Sequence, residues 1–104
     1  MKLLKNETQL VCIARFFAIE GEEEKLIKNL HGLIVKTTQE GGCIRYELNQ
    51  SIDNPLEITF IEKWYDKVTF DAHCAQPYIV DFFKGDNPKH VKSYDVSLHK
   101  EYLP

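Results

Sequence analysis

Three side chains near the middle of the chain have the chemistry for moving a proton on an aromatic molecule: Glu62, Trp64 and His73. Imidazole is the side chain whose ordinary pKa lies nearest neutrality, so His73 is a candidate base. A carboxylate at Glu62 can orient that base or a substrate hydroxyl. An indole at Trp64 supplies a flat apolar wall against which an aromatic ring can stack. Each group has a structural reading as well. Glu62 can bond backbone amides at a chain corner, Trp64 can fill a core, and His73 can sit half-buried beside Phe70.

These groups depend on a sharp change of periodicity. Ile58, Phe60, Glu62 and Trp64 alternate with Thr59, Ile61, Lys63 and Tyr65, as the two faces of a strand do. Phe70 and His73 then lie three apart, on one helical face. Asp66 stands between strand and helix as an N-cap, placed to accept from the amides of Val68 or Thr69. Folding this helix back over its own strand turns all three groups toward one cavity.

The remaining elements follow in order. Gln9 to Ala18 reads as a strand, apolar on both faces and therefore covered on both sides. Glu22-Glu23-Glu24 is a solvated start to a helix carrying Leu26, Ile27, Leu30, Leu33 and Ile34 at spacings of three and four, ended by Gly41-Gly42. Cys43 to Gln50 alternates, with Ile44, Tyr46 and Leu48 on one face and Arg45 on the other, so Arg45 and Tyr46 diverge. Ser51 to Pro55 supplies a turn into the strand Leu56 to Tyr65. Gln76-Pro77 interrupts the following helix, and Tyr78, Ile79, Phe82 and Phe83 resume its apolar stripe. After a turn at Asn87-Pro88, His90 to Tyr102 closes the chain as a long strand.

Strand, helix, strand, strand, helix, strand is the order of an α+β ferredoxin-like sandwich, a four-stranded antiparallel sheet with two helices on one face. The second sheet face is also apolar, which calls for a homodimer packed sheet against sheet. At 104 residues the chain reads as one domain with no room for a separate cofactor domain. Its net charge of −3 and scattered lysines exclude a basic stripe for nucleic acid. The segment Met1 to Glu7 lacks a signal-like apolar run, and nothing approaches the ~20 apolar residues of a membrane span. Cys12, Cys43 and Cys74, an odd set with no Cys-x-x-Cys, fit a reducing compartment, so a cytoplasmic protein is expected. His31, His90 and His99 have no partners at ligand spacing, and no metal site is expected.

The chain resembles the antibiotic biosynthesis monooxygenase domain family from Leu10 to about Leu98. The resemblance rests on Glu20-Gly21, on Glu40-Gly41-Gly42-Cys43-Ile44-Arg45-Tyr46-Glu47-Leu48, on Asn54-Pro55, on Glu62-Lys63-Trp64, and on Phe70-Asp71-Ala72-His73 leading to Pro77-Tyr78. It implies a dimeric α/β barrel with a small-molecule pocket in each subunit and oxygen chemistry without a cofactor, the electrons coming from a quinol or phenol. His73 would then be the base, with Trp64 stacked on the substrate and Glu62 orienting His73 or a hydroxyl. Phe70 would line the pocket, and Tyr46, Tyr78 and Arg45 would bind the developing oxyanion. The haem-degrading relatives use an asparagine on the first strand, which Leu10 to Phe17 lacks. Some antibiotic-pathway oxygenases place one in strand three, and Ile58 to Tyr65 has none.

Three readings therefore stand side by side. A quinol monooxygenase requires an aromatic pocket, an isomerase of a phosphorylated signalling ketone requires cations converging on that pocket, and a non-catalytic dimeric binding domain requires His73 in packing with phenylalanines filling the cavity.

Overall fold

The computed structural model describes residues 3–85 and 87–104; the Met1-Lys2 start of the N-terminal segment lies outside them. Strands β1 (Leu10–Ala18), β2 (Cys43–Gln50), β3 (Glu57–Trp64) and β4 (Val91–His99) form one antiparallel sheet in the order β2-β3-β1-β4. Helices α1 (Glu23–His31), α2 (Ile34–Thr38), α3 (Lys67–Cys74) and α4 (Pro77–Lys84) complete the ferredoxin-like arrangement, with a 3-10 turn at Asn87–His90 before β4. Alternation decides which residues the helices cover. Cys12, Ala14, Phe16, Ala18, Ile58, Phe60 and Trp64 pack with Leu26, Leu30, Phe70 and Phe82 in one core.

The first helical stretch is not continuous. The amide of Leu33 bonds the carbonyl of Leu30, a three-residue step that tightens the chain after Gly32, so α1 and α2 are separate pieces. In β2 the pairing register shifts between Cys43 and Arg45. Cys43 therefore pairs with Trp64 while Ile44 bulges out, half exposed, instead of sharing the inner face with Tyr46. β4 is shorter than the expected His90 to Tyr102, and Tyr102 makes only an isolated bridge to Leu4.

The strand-to-helix corner forms as the residue types dictate. Asp66 accepts from the Thr69 amide at 2.8 Å, while the Thr69 hydroxyl accepts from the Asp66 amide at 3.2 Å. Gly42 fixes this corner from the other side. A β-carbon there would overlap the Thr69 side chain, and the Gly42 carbonyl accepts from the Tyr65 amide at 2.9 Å. The start of β2 is thus held against the start of α3. On the opposite sheet face Val11, Ile13, Phe17 and Ile61 stay only half-buried.

The close approach at Gly42 predicts that Gly42→Ala lowers unfolding free energy by about 1–3 kcal/mol, as other overpacking changes do. Gly41→Ala meets open space and should stay within about 0.5 kcal/mol of the parent. Urea titration of the two variants checks the difference.

Candidate functional site

Sheet register assembles one side of the site. Glu62 on β3 is paired with Cys12 of β1 on one flank and with Tyr46 of β2 on the other, so a carboxyl, a thiol and a phenol form a row under the helices. Glu62 is 4% exposed. It accepts from Trp64 Nε1 at 2.9 Å and from the Cys12 thiol. Burial pushes its carboxyl up to about 7, against those two hydrogen bonds, which favour the charged form; the Glu40 charge adds to the upward push. Burial first, and the Glu62 charge second, also raise the Cys12 thiol and the Tyr46 hydroxyl well above their ordinary ranges. Both stay protonated near neutrality.

α3 supplies the other side. His73 is buried, tilted against the Trp64 ring at 4.5 Å between centroids, with Tyr46 meeting its edge at 5.6 Å. Its Nδ1 lies 2.8 Å from Glu40 Oε2. A carboxylate only accepts, so Nδ1 carries the hydrogen and Nε2 keeps its lone pair in the neutral ring. The same Glu40 oxygen accepts from the Tyr78 hydroxyl, which lies 3.0 Å from the Thr37 hydroxyl. Burial, then the bond to Glu40, pushes the Tyr78 hydroxyl up to about 12. Glu40 follows α2 directly, where a negative charge opposes the helix dipole. Its position makes sense through the two donors it satisfies.

These groups border a cleft of about 70 Å³ whose walls include Glu62, His73, Tyr46 and Phe70. The structure thus brings Glu62, His73, Tyr46 and Phe70 to one space and keeps the other expected residues out of it. Trp64 is completely buried and packs on His73, behind the cleft wall and not against its contents. Glu62 does not orient His73; Glu40 does. Tyr78 does not border the cleft; it reaches the site through Glu40 and by meeting the His73 ring edge-on, 6.4 Å between centroids. Arg45 lies exposed on the far side of the strand, bonded to Glu47 at 2.6 Å, as its divergence from Tyr46 requires. Glu40 and Cys12 are the participants that sequence reasoning did not single out. A lone acidic residue just past a helix and before Gly41-Gly42 was the available signal for Glu40. No cluster of three or more metal-ligating side chains exists among the described residues, and no helix there is long and apolar enough to cross a membrane.

A family model described as antibiotic biosynthesis monooxygenase matches residues 9–85. Protein SO0527 from Shewanella oneidensis is 43% identical and superposes with a TM-score of 0.91, covering 95% of this chain and 96% of its own. Rv0793 of Mycobacterium tuberculosis, whose name places it provisionally among monooxygenases, is 29% identical over 70 residues, 67% of this chain and 68% of that protein. A crystal structure described as an antibiotic biosynthesis monooxygenase shares 27% identity at a TM-score of 0.80, over 91% of this chain and 99% of its own.

The raised Glu62 carboxyl carries a stability signature. Its folded pKa of about 7 lies above its ordinary value of 4.5, so the folded state holds the proton more tightly. That contribution is complete below pH 4.5 and is lost as pH rises through 7, amounting to about 3 kcal/mol. Urea unfolding of wild type and Glu62→Gln at pH 5 and pH 8 reads it directly. The wild type should lose about 2–3 kcal/mol more than the variant between the two conditions, most of the full contribution.

Proposed function

The chain belongs to the antibiotic biosynthesis monooxygenase family, and from that membership we propose that it is a cofactor-independent monooxygenase oxidising a small quinol or phenol with O2. The observation that carries this reading is the Glu40–His73 pair, with His73 on the wall of an aromatic cleft: a half-buried carboxylate holding a buried imidazole in the tautomer that presents Nε2 as a base. His73 Nε2 takes the proton of a phenolic hydroxyl, leaving an electron-rich anion. That anion gives one electron to O2, and the resulting superoxide and phenoxyl radical recombine with formation of a ring carbon–oxygen bond. From the hydroperoxide the ring carbon loses its hydrogen as a proton and the oxygen–oxygen bond breaks. One oxygen stays as a carbonyl and the other leaves as water. For a hydroquinone the balance is quinol plus O2 giving hydroxyquinone plus water.

The remaining groups take supporting parts. Glu62, about half protonated near neutral pH, supplies a proton to the departing oxygen. Tyr46, kept protonated by burial, donates to the developing oxyanion. Phe70 walls the ring, Trp64 backs His73, and Tyr78 steadies Glu40. Arg45, bonded to Glu47 on the outer face, has no part. The reading includes a single domain that pairs as a homodimer through the open sheet face, in the cytoplasm, where Cys12, Cys43 and Cys74 stay unpaired.

One observation favours a second reading, a non-catalytic dimeric small-molecule-binding domain. A cleft of about 70 Å³ has room for about two waters, and phenylalanines fill the space around it. The phosphorylated-ketone isomerase gains no such support, since Arg15 is paired with Asp95 and Arg45 with Glu47, and neither borders the cleft.

Oxygen uptake by the purified protein with benzene- and naphthalene-hydroquinones, corrected for autoxidation, decides between the two. The oxygenase predicts enzyme-dependent uptake, a fall in kcat/KM of about 10²–10⁴-fold in His73→Ala, and a smaller loss in Glu40→Gln. Uptake no faster than autoxidation across the panel would leave the binding domain as the better description.

A further inference from the structure

The site cleft shares part of its wall with a neighbour. Phe16, Phe82 and Phe83 border it and also border a second cleft of about 370 Å³, which Pro88, Val91 and Tyr94 complete. Small-molecule pockets generally begin near ~300 Å³, so the inner cleft alone is too small for an aromatic ligand and its neighbour supplies the missing room. The wall between them is a stack of rings. Phe16 lies 6.3 Å from Phe83 and 5.9 Å from Tyr94, both nearly parallel, and Phe83 lies 5.2 Å from Tyr94.

Sheet register explains why this stack is unroofed. Tyr94 pairs with Phe16 and Val96 with Ala14, so both sit on the helix-covered side, yet the helices leave about half of each side chain open. Tyr94 remains 55% exposed and Phe83 39% exposed. Two large aromatics left half in water, one of them on the wall of the cleft that holds Glu62 and His73, are a ready apolar surface for a flat ligand. Exposed side chains change rotamer in nanoseconds or less, and among the described residues Phe83 is the one group that is both exposed and common to the two clefts.

We propose that Phe83 and Tyr94 form an aromatic gate between an outer vestibule and the Glu62–His73 cleft, and that this vestibule holds the apolar part of a planar ligand extending beyond its hydroxyl-bearing ring. The pair thereby determines specificity. The inference rests on the preceding reading only in taking that ring to lie against His73.

Binding without turnover tests it. Isothermal titration of the full chain with phenol and with 2-naphthol, in the wild type, Tyr94→Ala and Phe83→Ala, gives the affinity ratio of two rings to one. The wild type should prefer 2-naphthol at least about tenfold, and each truncation should cut that preference about fivefold or more, as loss of a stacking partner does. Tyr94 is more than half exposed, and because Phe83 packs on Phe16 and Phe82, urea unfolding of each variant checks that it is folded before titration. Amide shifts induced by 2-naphthol in the wild type should include Val91 to Tyr94. An unchanged ratio in both variants, or shifts that avoid Val91 to Tyr94, overturns the gate. Binding through the gate without oxygen consumption contradicts the monooxygenase and leaves the gate standing. Oxygen consumption with hydroquinones whose selectivity ignores both substitutions does the reverse.

Discussion

The Glu40 carboxylate, shared between His73 and Tyr78, is the contact on which the site's geometry depends. It joins the end of the α1–α2 stretch to α3 and α4 through one oxygen atom. Removing such a carboxylate leaves the buried His73 Nδ1–H without its acceptor and the Tyr78 hydroxyl with Thr37 alone, a cost that exceeds the modest net value of either hydrogen bond. The same contact fixes which imidazole nitrogen carries hydrogen, and the proposed reaction uses the other one. Local packing and the imidazole tautomer are set by one acceptor.

That acceptor is effective because backbone packing places it. Gly42, two residues after Glu40, is pressed against Thr69 in the capping box that starts α3. Four residues on from Thr69, one helical turn, stands His73. The distance between Glu40 and His73 is thus fixed by a glycine contact and one turn of helix. Trp64 completes the mounting from beneath by lying against the imidazole and tying its own indole to Glu62. Two carboxyl groups take different roles from their surroundings. Glu40 serves two donors, while Glu62 is buried deeply enough to favour its proton.

Local pattern carried much of this architecture. Alternation from Ile58 to Trp64 assigns Glu62 and Trp64 to the covered face, and Asp66 with a three-residue spacing to His73 marks the corner correctly. The opposition of Arg45 and Tyr46 also follows from alternation. What was not legible depends on contacts distant in sequence or on small departures from regularity. Glu40 and His73 are separated by 33 positions, and no local rule links them. The bulge at Ile44 moves one residue across the sheet without changing composition, so Cys43 and Ile44 exchange places unseen. The break after Gly32 is a single tightened turn in a stretch whose apolar spacing never falters. Trp64 sits on the expected face, but whether it meets a ligand or an imidazole depends on α3 packing above it.

The tautomer of His73 tests the Glu40–His73 assignment most directly. Two-bond nitrogen–hydrogen NMR correlations of the neutral imidazole in the ligand-free protein distinguish a proton on Nδ1 from one on Nε2, independently of any substrate. The hydrogen bond to Glu40 requires the proton on Nδ1, and Glu40→Ala should erase that preference. A neutral ring protonated on Nε2, or a wild-type preference that persists in Glu40→Ala, would contradict the assignment of His73 as a base oriented by Glu40.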